Sequence, residues 1–233
     1  MTVFRVASEG WLLELVFPSR CVSCGAQAEV VCARCRPALR QVGPPWCGLC
    51  GAPTVWPVER CRECSRRRLA FSSARAGTVY AGPARAVVRA WKEHGLRRAA
   101  PWAAELVALR VERPAADVIA YIPPDPSRTL RRGRHPAEQL AAELGRRWQL
   151  PVEALLVRSG RVAGSRQAVL SRGARLANVR GAFVARTGCA GRRVVLVDDV
   201  YTTGATAAAA SAALRRAGAV SVEVVTFART VRT

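Results

Sequence analysis

From about residue 71 onward, short apolar runs alternate with longer stretches whose apolar positions recur at helical spacing. The short runs predict strands at residues 76–80, 117–122, 152–157, 183–185, 193–197 and 220–227. The longer stretches predict helices at 83–93, 101–110, 136–148 and 204–217. Pro83 and Pro136 fall in first turns, where a helix has no use for the missing N–H, and Gly95 and Gly218 follow last turns. Strands joined by helices pair in parallel through right-handed crossovers. The expected class is therefore α/β, with a mostly parallel sheet flanked by helices. Residues 158–180 break the rhythm: they are polar, rich in arginine and long, the kind of loop that more often serves a function than not.

The first third of the chain reads differently. Leu12, Leu13, Leu15, Val16 and Phe17 fit a short amphipathic helix within residues 1–20 that docks on the body. Glu9 and Glu14 interrupt the apolar run and no small-residue cleavage site follows, so it does not read as a secretion signal. No window reaches the ~18–20 apolar residues of a membrane span, and the expected compartment is the cytoplasm. Three units are expected: a docking helix at 1–20, a cysteine-rich module at 21–68 ending in a basic linker, and a large domain at 69–233.

Cysteine composition gives that module its chemistry. Eight of the nine cysteines fall between residues 21 and 64, as four C-x-x-C pairs: Cys21/Cys24, Cys32/Cys35, Cys47/Cys50 and Cys61/Cys64. One pair presents two sulfurs to one metal, and two pairs complete the four-thiolate shell that Zn²⁺ favours. Cys24 and Cys50 are each followed by glycine, which suits a tight knuckle whose N–H groups face the thiolates. The knuckle-then-pair order repeats twice. That favours Cys21, Cys24, Cys32 and Cys35 on one zinc and Cys47, Cys50, Cys61 and Cys64 on a second, with a cross-braced arrangement also compatible. An iron–sulfur cluster would use the same thiols. Four thiolates leave no open position for water, so both zinc sites are expected to be structural.

The net charge is +21, and Lys92 is the single lysine among many arginines. Such a surplus attracts polyanions, whether phosphate substrates or nucleic acid.

The clearest chemical signal lies at residues 194–206. Val194, Val195, Leu196 and Val197 make a buried strand, Asp198 and Asp199 stand at its end, and Val200, Tyr201, Thr202, Thr203, Gly204, Ala205 and Thr206 turn into a helix. In an open α/β sheet, ligands bind at this edge. Small residues let the turn wrap a phosphate, with N–H groups, threonine hydroxyls and the positive helix end facing it. Asp198 and Asp199 can accept hydrogen bonds from vicinal ribose hydroxyls and stabilise positive charge on the sugar as a leaving group departs. There is no G-K-[ST], so this is not a Walker loop.

The string of apolar strand, Asp-Asp, T-T-G-A-T and helix resembles the 5-phosphoribosyl-1-pyrophosphate (PRPP) binding signature of type I phosphoribosyltransferases. Tyr201 stands where that family usually has an aliphatic residue, and is expected to narrow the site or pack against the sugar. From about residue 12 to 229 the chain resembles the ComF family, also called GntX-like. The resemblance is carried by the Pro-Ser-Arg-Cys opening, the paired C-x-x-C module, and Ile122-Pro123-Pro124 with Arg128, Arg131, Arg132 and Gly133. It continues through Arg158 and Gln167, Arg175 and Asn178, the Asp-Asp loop and the closing Thr226-Phe227-Ala228-Arg229.

That resemblance implies a type I phosphoribosyltransferase fold behind a double zinc ribbon. It also implies a pyrophosphate-cradling loop at Pro123, Pro124 and the arginines that follow, and a lid at residues 158–180 that excludes water. Mg²⁺ would arrive with PRPP, pyrophosphate would leave and an acceptor would add. The family's link to uptake of transforming DNA implies single-stranded DNA and a competence helicase as partners. The alternatives to a transferase are a nucleic-acid-associated competence factor without turnover and a PRPP sensor. One position departs from the family: His135-Pro136 replaces the usual Asn-Gln, which puts transfer chemistry, more than PRPP binding, in question. His135 is read as an exposed, passive loop residue, with a role as acid or base as the alternative, and His94 and Cys189 have no assigned role.

Overall fold

The computed structural model describes residues 19–125, 135–159 and 181–231. The docking helix expected within 1–20, Arg128, Arg131, Arg132 and Gly133, and most of the expected lid with Gln167, Arg175 and Asn178 lie outside the described residues. After the cysteine-rich module come β1 (Ser73–Val79), α1 (Gly82–His94), α2 (Ala99–Arg110), β2 (Val118–Tyr121) and α3 (Pro136–Trp148). Then follow β3 (Leu156–Arg158), β4 (Phe183–Ala185), β5 (Arg193–Tyr201), α4 (Ala205–Arg216) and β6 (Ser221–Arg229).

Four strands form an all-parallel sheet in the order β1-β6-β5-β2. Its central pair is apolar at all but one position where it is deepest: Val194, Val195, Leu196 and Val197 lie beside Val222, Glu223, Val224 and Val225 in register, and only Glu223 is polar. Strands covered on both faces read as continuous apolar runs for this reason. Strand alternation then sends Val195 and Val197 into one core, with Val87, Val107, Leu140 and Leu144 from α1, α2 and α3. Val194 and Leu196 enter a second core with Ala207, Ala210 and Leu214 from α4. Burying one such leucine or valine side chain contributes about 1.5–3 kcal/mol, so both faces drive folding.

Three departures from the expected elements have physical causes. β3 and β4 pair antiparallel, as a ribbon separate from the main sheet. The strand expected from residue 152 is reduced to a bridge between Val152 and Ile119, because Leu155 turns back onto the Glu153 carbonyl before β3 begins. β5 does not stop at Val197: it continues through both aspartates to Tyr201, because β6 runs alongside as far as Arg229. The acidic pair therefore belongs to the strand itself.

Candidate functional site

The thiols gather in sequential fours, Cys21/Cys24/Cys32/Cys35 and Cys47/Cys50/Cys61/Cys64, with the ligand atoms of each group within 4.8 Å of one another. Sulfur pairs stand 3.6 Å apart for Cys24–Cys32, 3.6 Å for Cys47–Cys64 and 3.5 Å for Cys50–Cys61. Four sulfurs about 2.3 Å from one zinc ion sit about 3.8 Å apart at tetrahedral corners, so both groups fit that ion. The knuckle glycines have the expected positive φ, 75° at Gly25 and 67° at Gly51. The Cys32 N–H donates to Cys21 Sγ at 3.4 Å and the Cys61 N–H to Cys47 Sγ at 3.2 Å. Such donors favour thiolates: the Ala26 N–H and then Arg34 bring Cys24 down to about 6. Burial pushes Cys47 up, but N–H groups of Cys50 and Cys61 outweigh it and bring it to about 7. Burial and then Cys47 push Cys64 up to about 11, and hydrogen bonding to Cys24 holds Cys35 at about 12. Some thiols in each group thus resist ionising beside the others, and a bound dication removes that opposition.

The two groups sit against opposite faces of the sheet. Cys21 packs with Val30, Val31 and Leu39 into the α1–α3 core, while Cys47, Cys50 and Cys64 pack into the α4 core with Tyr201. Cys24 is exposed, whereas Cys47, Cys50 and Cys64 are buried.

The Asp-Asp segment is built from both faces as well. Asp198 lines a recess with Thr202, Gly204, Thr206 and Thr226 on the α4 side. Burial, then the Asp199 carboxylate beside it, pushes its own carboxyl well above the usual range. The Asp199 side chain is only 7% exposed and forms an ion pair with Lys92 of α1. Gly204 opens α4 at φ 71°, a left-handed position, and a Cβ there would collide with the Tyr201 hydroxyl. Among the described residues, the N–H groups of Thr202, Thr203 and Gly204 have no hydrogen-bond acceptor, whereas the carbonyls of Tyr201, Thr202 and Thr203 are taken by Thr230, Thr230 and Arg67. The turn thus has its acceptors engaged and these donors unengaged among the described residues.

Pro123 and Pro124 follow β2, whose Tyr121 lies beside Val197, so they stand at the same sheet edge as the aspartates. Arg158 Nε donates to both proline carbonyls at 3.1 Å.

The structure adds to the sequence reading of three residues. Lys92, singled out only as a lone lysine, is the partner of Asp199. Its signal was its solitude in a chain that otherwise uses arginine. His135 is not exposed: it is half-buried before α3, and among the described residues its buried Nδ1 has no hydrogen-bond partner. Burial holds its pKa below the ordinary value, against the pull of Asp199 and with the push of Lys92 and Arg158. Tyr201 is 6% exposed and packs edge-on against Phe71 and under the Arg229 guanidinium. Its ring supports the turn from beneath.

A larger groove of about 710 Å³ runs between residues 66–70 and the outer face of α4, with Arg66, Arg67, Arg68 and Arg216 on its rim. No described helix is long and apolar enough to cross a membrane.

Comparison with known proteins agrees with this construction. Residues 12–65 match the double zinc ribbon domain, and residues 129–232 match the phosphoribosyl transferase domain. Over 227 residues the chain is 25% identical to Competence protein F of Haemophilus influenzae, covering 91% of this chain and 98% of that one. Among solved structures it is similar to the glutamine PRPP amidotransferase from B. subtilis complexed with ADP and GMP. That similarity has 26% identity, 57% of this chain, 26% of that chain and a TM-score of 0.40. It is also similar to purine phosphoribosyltransferase from Pyrococcus horikoshii, with 18% identity, 55% of this chain, 81% of that chain and a TM-score of 0.35. The chain spans about a quarter of the amidotransferase's length. With both domain matches in one chain, and a likeness to Competence protein F that runs through both, the protein is a homologue of Competence protein F, with a phosphoribosyltransferase domain carried behind a double zinc ribbon.

Proposed function

We propose that the protein binds PRPP at residues 198–206 and transfers its phosphoribosyl group to an acceptor, releasing pyrophosphate. The observation that carries this reading is the turn itself: free N–H groups at Thr202, Thr203 and Gly204, at the start of α4, beside two carboxylates. The 5-phosphate would sit on those donors and the helix end. The ribose diol would meet Asp198 and Asp199, and the pyrophosphate would lie toward Pro123, Pro124 and the arginines that follow. Mg²⁺, held mainly by substrate oxygens, would neutralise the departing pyrophosphate. The chain's own groups orient the sugar and stabilise charge at the anomeric carbon as that bond breaks. Eight cysteines would hold two structural zinc ions, which crosslink the module and contribute to its folding. The cytoplasm is the compartment where such a thiol-rich, PRPP-using protein would work.

Titration calorimetry with Mg²⁺-PRPP tests the reading. Wild type should show one site per chain, and the Asp198→Asn/Asp199→Asn variant should lose it. Equal binding by both proteins would move the ligand elsewhere.

A second reading has its own observation. The Arg66, Arg67, Arg68 and Arg216 rim lies along a groove beside the turn, and among the described residues none of Arg66, Arg68 and Arg216 is paired with a carboxylate. Together with the +21 charge, this favours a polyanion such as the single-stranded DNA that a competence role and a helicase partner would bring. Phosphate-dominated binding would weaken steeply with salt, and absence of binding at low salt would exclude it.

A further inference from the structure

We propose that the second cysteine centre braces the PRPP turn, with Arg229, Arg67 and Tyr201 as the positioning residues that connect them. The two cysteine groups share a ligand set, but among the described residues only the second is wired to the turn. Arg229, 2% exposed, donates Nη1 to the Cys50 carbonyl at 2.5 Å and Nε to the Thr230 carbonyl at 3.3 Å. Its Nη2 lies 3.9 Å from Glu63, between Cys61 and Cys64, and makes no hydrogen bond. Its guanidinium stands 5.3 Å from the centre of the Tyr201 ring, and Tyr201 is its register partner across the sheet. Thr230 donates its N–H to the Tyr201 carbonyl and its hydroxyl to the Thr202 carbonyl, and Arg67, just past Cys64, donates to the Thr203 carbonyl. Of these consecutive acceptors, the Thr203 carbonyl is held directly from the cysteine module and the Tyr201 and Thr202 carbonyls by Thr230, next to Arg229, while the N–H groups of the turn have no acceptor among the described residues.

The physical link is the buried charge. Arg229 has little access to water, so its two counter-groups, the Cys50 carbonyl and the Glu63 carboxylate, must stay in place. Both lie on segments that the second thiol group pins. Opening that group removes both partners from a guanidinium that cannot be left unpaired, and Arg229 must move together with Tyr201 beneath Gly204. The first group has no such wiring: among the described residues, no hydrogen bond or ion pair joins residues 21–35 to 198–206.

The brace itself is independent of PRPP. Its test is hydrogen–deuterium exchange of the full-length, zinc-loaded protein, read at the bonded amides on either side of the turn, in residues 197–201 and 207–210. Cys61→Ser should speed exchange there at least about tenfold, while Cys24→Ser leaves it at the wild-type rate. Arg67→Ala and Arg229→Gln, with every cysteine intact and two zinc ions per chain by metal analysis, should each speed it about fivefold. Unchanged exchange in Cys61→Ser, or equal acceleration in Cys24→Ser, overturns the proposal. Should Cys61→Ser fail to fold, wild-type exchange in Arg67→Ala overturns it instead. Calorimetry then adds the link to function: Arg67→Ala should bind Mg²⁺-PRPP about tenfold more weakly. Failure of wild type to bind PRPP would sink the proposed function and leave the brace to be judged by exchange alone.

Discussion

The two faces of the central sheet carry the same parts put to different use. Each has a four-cysteine group and each receives one carboxylate from β5. On the α1–α3 face, the cysteine group is partly exposed and distant in wiring from the turn, and the carboxylate, Asp199, has Lys92 as a counter-ion. On the α4 face, the cysteine group is mostly buried under Phe71, Tyr201 and Arg229, and Asp198 faces a polar recess with no cation paired to it among the described residues. A motif repeated in sequence therefore does not imply a repeated role. What separates the copies is the environment: burial makes each lost contact on the α4 face costly, and the turn is built on that face.

The knuckle glycines give the largest expected difference. An alanine at a left-handed position costs about 1–2 kcal/mol by itself. Gly25 has open space around it, so Gly25→Ala should stay at about 1 kcal/mol. A Cβ on Gly51 would collide with the Ala74 carbonyl oxygen of β1, so Gly51→Ala should cost about 3–4 kcal/mol. Thermal unfolding should separate the two variants clearly, at about 2–4 °C per kcal/mol for a chain of this size. Equal shifts would break the asymmetry.

Lys92→Met probes the carboxylate on the other face. It removes the counter-ion of a side chain that is 7% exposed, and fully buried pairs lose about 3–5 kcal/mol in this way. Water reaches the half-exposed lysine, so about 2 kcal/mol is expected, read as a lower denaturant midpoint. Lys92→Arg should recover most of it.

Asp198→Asn is the smallest effect and has the opposite sign. A carboxyl raised by folding contributes its stability below its unfolded pKa of about 3.9, and that contribution is lost as pH climbs toward the folded value. The variant should therefore melt with wild type near pH 4 and above it at pH 7–8, by about 1 kcal/mol, while PRPP binding falls. A melting curve that stays parallel to wild type at all pH values would show that Asp198 is not strained in its charged form.

Much of this was legible residue by residue. Helix α3 runs between the expected bounds, Pro136 and Trp148, because a first-turn proline and an apolar stripe are local signals. The four C-x-x-C pairs announced two metal-binding fours, and their sequential grouping followed the knuckle glycines. The Asp-Asp turn was readable because an apolar strand run gives way there to two carboxylates and then to small and hydroxyl residues that open a helix. Other features had no local signal. Nothing in the string around Asp198 showed that β5 continues to Tyr201, since that depends on β6 lying beside it. Nothing near His135 showed that it would be half-buried facing Asp199 and Lys92, more than forty residues from either.

The sequence by itself determined the chemistry available: eight thiols in pairs, a strand ending in two carboxylates, a glycine-threonine turn, and an excess of arginine. These are short-range patterns, set by bonding geometry and helix or strand period. Only the tertiary structure decided which thiol group meets the turn, which aspartate meets the single lysine, and that Tyr201 stands beneath Gly204 against Phe71. Those choices come from strand order and from which face each side chain enters. In a parallel sheet, strands that neighbour in space are separated in sequence by whole crossovers, so no local pattern records them.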